Sequence, residues 1–302
     1  MVNRTICALA LIVMAPVALA ATAGPKSFAS PEAAIAGLVD AVKLNDQPML
    51  NGILGSHGSK LTSSGDEVAD RQNRETFLKA YGEAHKLVLE GDTKATLVIG
   101  KDEWPMPIPL VKSDGGWRFD TQQGEKEILA RRIGRNEMAA IQVCLAIVDA
   151  EREYAALDMD GDGIPEYAPK FVSASGKRDG LYWQTKADEP PSPLGPLLAA
   201  AASEGYSRSG SRTLAPYHGY FYRILTKQGQ EAPDGAYDYF VKCMMVGGFA
   251  VIAYPARYGA SGVMSFIVNH EGVVYEKDLG KDTAAIATKM TSFNPDESWK
   301  RP

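Results

Sequence analysis

Two short runs constrain this chain more than anything else in it: residues 249–254 read Phe-Ala-Val-Ile-Ala-Tyr, and residues 263–268 read Val-Met-Ser-Phe-Ile-Val. A strand with one wet face alternates apolar and polar side chains. Runs that are apolar on both alternating faces belong in the middle of a sheet covered on both sides. Further strands are expected at 219–226, 237–245 and 273–277, with His270, Glu271 and Gly272 turning the chain between the last two. One cover should be a long helix. Residues 125–157 have helical spacing with a break at Gly134, and Met138, Ile141, Cys144, Leu145 and Val148 form the apolar stripe of the second piece. A shorter helix at 194–204 stops at Gly205, and the proline-rich patch 189–193 reads as a stiff loop.

The first half reverses this order. Ser30, Pro31 and Glu32 are a helix N-cap, a first-turn proline and a dipole-matched acid. Ile35, Leu38, Val39 and Val42 then follow at helical spacing to about Leu44. A second helix is expected over 71–81. Strand patterns at 86–90, 95–99, 106–111 and 117–120 come next, separated by glycine-bearing turns. The fold class is therefore α+β. Helices plus a curled antiparallel sheet fill residues 21–134, and a long helix packed on an antiparallel sheet fills residues 135–302. The element order of the first part and its ending Gly116-Trp117-Arg118-Phe119-Asp120 resemble the nuclear-transport-factor-2-like (NTF2-like) superfamily. That resemblance implies a cone with a small-molecule pocket, here lined by Trp104, Trp117 and Phe119. The second part resembles, by architecture, the globular portion of pilins and type II secretion pseudopilins.

Residues 1–20 read as a cleavable signal peptide: Arg4 precedes an apolar stretch at 6–19, and Val17-Ala18-Leu19-Ala20 offers small residues for cleavage after Ala20. The expected location is the periplasm or the exterior, with no transmembrane anchor in the mature chain. With 32 basic against 37 acidic residues and a net charge of −5, and no basic cluster beyond Arg131, Arg132 and Arg135, nucleic acid is excluded as a partner. Those arginines and Glu137 read as a solvated, ion-paired face, with an anion or inter-domain contact as the functional alternative. Cys144 and Cys243 could pair in an oxidising compartment; two buried thiols are the other reading.

The sharpest local pattern is Asp158-Met159-Asp160-Gly161-Asp162-Gly163-Ile164-Pro165-Glu166. Alternate carboxylates at Asp158, Asp160 and Asp162 around a glycine bend supply the hard oxygens that Ca²⁺ needs, with the Ile164 carbonyl and Glu166 as further ligands. It resembles the first half of an EF-hand loop. The twelfth position holds Pro169, which cannot close such a loop, and a solvated turn ending the helix is the plainer reading. After Pro216, His218, Tyr220 and Tyr222 share one face of a strand. With Tyr182 and Trp183 they could form a groove for a sugar or peptide, or simply pack under the proline-rich loop. A hydrolase using His218 and Asp179 with Ser192 or Ser173 is the enzymatic alternative. Nothing beyond residue type supports it, since the sequence has no nucleophile elbow, zinc helix, phosphate loop or Cys-x-x-Cys pair.

A family resemblance rests on Gly176-Lys177-Arg178-Asp179-Gly180-Leu181-Tyr182-Trp183, on Pro216-Tyr217-His218-Gly219-Tyr220 and on Arg132-Ile133-Gly134-Arg135-Asn136-Glu137. It extends through Gly247-Gly248-Phe249-Ala250 and Tyr275-Glu276-Lys277-Asp278-Leu279-Gly280. The chain resembles the bacterial exported family catalogued as domain of unknown function 2950. That resemblance implies export and an architecture, and it hands over no reaction. The reading that follows is a non-enzymatic envelope protein stabilised by calcium, binding a partner protein or a cell-wall-type ligand.

Overall fold

A computed structural model describes residues 24–302 except 114, 160, 187 and 207–214. Residues 1–20, expected to be a signal peptide, and Asp160 therefore lie outside the described residues. Helix α1 (Pro31–Leu44) starts where Ser30 accepts the Ala33 N–H at 3.2 Å and ends at left-handed Asn45. Helix α2 (Gln47–Leu54), capped by Asp46, and α3 (Gly58–Thr62) follow. Helix α4 (Glu67–Glu83) begins at Asp66, whose carboxylate accepts the Ala69 N–H at 3.0 Å. Strands β1 (His85–Glu90), β2 (Lys94–Ile99), β3 (Trp104–Pro105), β4 (Leu110–Ser113) and β5 (Gly116–Phe119) then build an antiparallel sheet. Its order is β1-β2-β4-β5, with β3 also beside β2.

Helix α5 (Thr121–Ala156) runs unbroken for 36 residues, about 54 Å at the rise of an α-helix. The expected break at Gly134 is corrected: a Cβ at that position would meet nothing within 4 Å. One solvent-facing glycine costs a helix only about 1 kcal/mol, and packing on either side of it outweighs that.

Beyond α5 come α6 (Gly195–Ser203), β6 (Tyr220–Leu225), β7 (Lys227–Gln228), β8 (Tyr237–Asp238), β9 (Phe240–Val241) and β10 (Met244–Met245). The chain ends with β11 (Ala250–Pro255), β12 (Met264–Asn269), β13 (Val274–Asp278), α7 (Thr283–Lys289) and β14 (Ser292–Phe293). The main sheet is antiparallel in the order β13-β12-β11-β6. Its two central strands are the two apolar runs, buried almost throughout. Helix α5 packs on β12 and β11, on the face that carries Tyr222. On the opposite face Arg223 donates to the carbonyls of Ala287 and Met290 at the end of α7. Both covers required by the sequence pattern are thus present.

Apolar side chains gather in two clusters, one drawn from residues between Ala34 and Phe119, the other from residues between Ala140 and Trp299. Trp117 and Phe119 belong to the first cluster and are buried, whereas Trp104 is 42% exposed. Trp117 and Phe119 share that cluster with Leu38, Ile53, Leu97 and Leu110. The Cys144–Cys243 bridge is also corrected: Cys144 is buried under the sheet, Cys243 is exposed at the β9–β10 turn, and both are free thiols. No helix among the described residues is long and apolar enough to cross a membrane.

Candidate functional site: a cleft beside Trp183

Where α5 ends, Glu151 is fully buried and its Oε2 accepts the Ala168 N–H at 2.8 Å. Burial pushes this carboxyl up to about 8, because charge has no solvent there. The anchored chain pairs Tyr167 with Met245 and then runs outward, with Leu181 and Tyr182 donating to the carbonyls of Lys170 and Phe171. Residues 173–180 form the loop at its tip. Asp179 fixes that loop by accepting the Ala174 N–H at 2.9 Å while pairing with the Lys170 ammonium at 2.8 Å. Those bonds hold its carboxyl below the usual range. Gly180 is required, since a Cβ there would stand 2.8 Å from the Lys170 carbonyl oxygen.

Trp183 lies at the root of this loop. Its ring meets Tyr154 edge-on at 6.4 Å, and the Arg178 guanidinium stands 5.4 Å from its centroid. Tyr154 in turn donates to the Arg178 carbonyl at 2.7 Å. On one side of Arg178 opens a cleft of about 520 Å³, lined among others by Ser173, Ser175, Lys177, Tyr182, Trp183 and Gln184. Arg178 also lines a smaller one of about 240 Å³, bounded by Tyr154, Met159, Ile164, Glu166 and Asp179. The acidic turn therefore flanks the cleft. Within it, Asp158 accepts the Gly161 and Gly163 N–H groups, each at 3.1 Å, and Asp162 accepts the Ile164 N–H at 2.7 Å.

The expected groove is divided. Tyr182 and Trp183 line the cleft, Tyr220 is buried in the core, and Tyr222 donates to the Tyr217 carbonyl beneath α5. His218 belongs to a separate cluster. It and Gly219 form a two-residue turn with φ of 49° and 76°, closed by reciprocal bonds between Tyr217 and Tyr220. Its ring lies 4.1 Å from that of Tyr217, and its Nε2 is 3.4 Å from Glu204. Tyr217 also donates to Glu204, and burial beside that carboxylate raises its phenol to about 12. Beneath the turn, buried Asp66 accepts the Tyr206 hydroxyl and the Gly219 N–H, each at 2.8 Å.

The hydrolase set is not assembled among the described residues. Asp179 is engaged by Lys170 and His218 by Glu204, while Ser192 is buried with its hydroxyl unpartnered and Ser173 donates to the Gly180 carbonyl. Of the arginine face, Arg132 is buried and donates to the carbonyls of Lys60 and Leu61, and Glu137 accepts the Val263 and Met264 N–H groups. Sequence reasoning missed Asp66, Tyr154, Lys177, Arg178 and Glu204 as site-building residues. Only Asp66 carried a local signal, an acid placed to cap the helix that follows.

The model of the family described as "Protein of unknown function (DUF2950)" matches residues 25–301. The chain belongs to this family. No curated protein and no solved structure matches it. The match takes in both the DUF2950 loop around Arg178 and the turn at His218.

Proposed function

We propose that this DUF2950 chain is an exported, non-enzymatic binding module, its leader at 1–20 directing it to the periplasm or beyond. Its ligand seats in the cleft beside Trp183. The observation that carries the reading is the wall composition: an indole and a phenol ring set next to Lys177, Arg178, two serine hydroxyls and Gln184. Flat rings take an apolar or sugar face, and the cationic pair takes a carboxylate. A cell-wall glycopeptide combines both. The NTF2-like and pilin-like readings of the two parts are kept as proposals supported by element order.

Calcium at Asp158, Asp160, Asp162, Ile164 and Glu166 would stiffen the flank of the same cleft. Millimolar Ca²⁺ is expected to raise the thermal midpoint by several degrees over a chelated sample, with the gain lost in Asp162→Asn. An unchanged midpoint would remove the metal. Calorimetric titration with soluble peptidoglycan fragments is expected to show saturable binding that Trp183→Ala weakens by about tenfold or more, roughly the loss of one aromatic contact. Absence of heat, or equal affinity in the variant, would refute the cleft reading.

A further inference from the structure

Strand β1 is an open edge of the N-terminal sheet: β2 pairs with one side of it. Among the described residues no backbone group bonds the other side. It is also unusually bare, with only Leu87 partly covered while Val88 and Leu89 are 41% and 62% exposed. An exposed, apolar edge strand recruits another strand unless something opposes the pairing, and natural edges oppose it with charged side chains or proline. β1 has no proline, and its charges, Lys86 and Glu90, stand only at the two ends of its apolar run. Its sequence, Lys86-Leu87-Val88-Leu89-Glu90, instead reads nearly the same in both directions in chemical kind, with opposite charges at its two ends.

We propose that two copies of this chain associate through β1, antiparallel about a two-fold axis at Val88. In that register Lys86 of each copy faces Glu90 of the other, Leu87 faces Leu89, and Val88 faces Val88. Residues directly opposite across an antiparallel pair share a face, so the charges meet on the face of Val88 and the leucines meet on the other. A register shifted by one residue sets Lys86 against Leu89 and Glu90 against His85, so the match of Lys86 with Glu90 is lost. Two lysines at the ends would repel in the Val88-centred register; a lysine and a glutamate attract there. Within the chain Lys86 pairs with Glu103 and Glu90 with Lys94, three of them exposed and Lys94 half-buried, and such pairs rearrange at little cost. The contact is isologous and closes on itself. The five-stranded sheet then continues unbroken from one copy into the next. This inference is independent of the Trp183 cleft.

Sedimentation velocity from about 1 µM to about 1 mM covers the affinity range of a contact this small. The wild-type chain is expected to shift from monomer to dimer across that range. Lys86→Glu and Glu90→Lys should each weaken the dimer by about tenfold or more by setting like charges opposite each other twice. The double reversal should restore the wild-type dissociation constant. Matching thermal midpoints of the variants verify that the fold is intact. Register has its own readout: in a Cys243→Ser background, oxidation should cross-link Val88→Cys to itself, because antiparallel neighbours fall within disulfide reach, and should leave Lys86→Cys uncross-linked. A chain that stays monomeric throughout, single reversals without effect, or a double reversal that fails to recover the dimer would overturn the proposal. Monomers that instead capture an added β-strand peptide would count the same way, assigning the edge to a foreign strand.

Discussion

Glu151 is a carboxyl in the wrong solvent. It is held at the end of α5 by one backbone bond to Ala168, its other oxygen lacks a hydrogen-bond partner among the described residues, and burial pushes its pKa from the ordinary 4.5 to about 8. Such a group ionises more readily in the unfolded chain than in the folded one. Its stabilising contribution is therefore complete below about pH 4.5 and is lost progressively as the pH rises toward 8. Glu151→Gln keeps an acceptor for Ala168 and removes the titration. The expected result is a thermal midpoint that varies less between pH 5 and 8 than that of the wild type, the difference corresponding to a few kcal/mol at most. A residue two turns earlier, Cys144, is also fully buried, and burial raises its thiol to about 12. That keeps it an inert thiol at neutral pH rather than a nucleophile.

At the scale of elements, α5 teaches most about how this sequence encodes its fold. Gly134 faces open space in the middle of it, so Gly134→Ala should stabilise the chain by roughly 0.5–1 kcal/mol, read as a higher midpoint in urea. A loss of stability would mean that the glycine serves a bend after all. The central strands, α5 and the capped start of α1 were legible because each depends on its own residues: a doubly apolar run, a helical stripe, a Ser at the first turn. Helix α7, which covers the far face of the main sheet, was not, because seven residues with two buried positions make no periodic signal. The cleft was legible only in part. Tyr182 and Trp183 announced themselves as neighbouring rings, but their separation from His218 is a matter of tertiary packing, which neither motif encodes. The left-handed turn at His218 and Gly219 likewise takes its partner from far along the chain, with the Gly219 N–H donating to Asp66.

Asp66 matters most for the molecule as a whole. It caps α4 in the first half through one carboxylate oxygen, and with the other accepts Tyr206 and Gly219 from the second half, while itself only 1% exposed. Arg257 adds a bond to the Ser63 carbonyl nearby, and α5 contributes Arg132 to the first half while its later turns pack on the second. Two apolar clusters joined by one helix alone would melt separately. Joined also by a buried carboxylate that satisfies groups from both, they should melt together. Asp66→Ala removes the helix cap, worth about 1 kcal/mol, and strands a phenol and a backbone N–H, each at about 1–3 kcal/mol. The loss falls on the junction rather than on either core. The expected outcome is a wild-type chain whose calorimetric and van't Hoff enthalpies agree, and an Asp66→Ala chain whose first half unfolds at lower temperature, so that the calorimetric value exceeds the van't Hoff one. If the variant lost stability and still unfolded in a single two-state step, the coupling would reside in α5, and the carboxylate would be an ordinary cap.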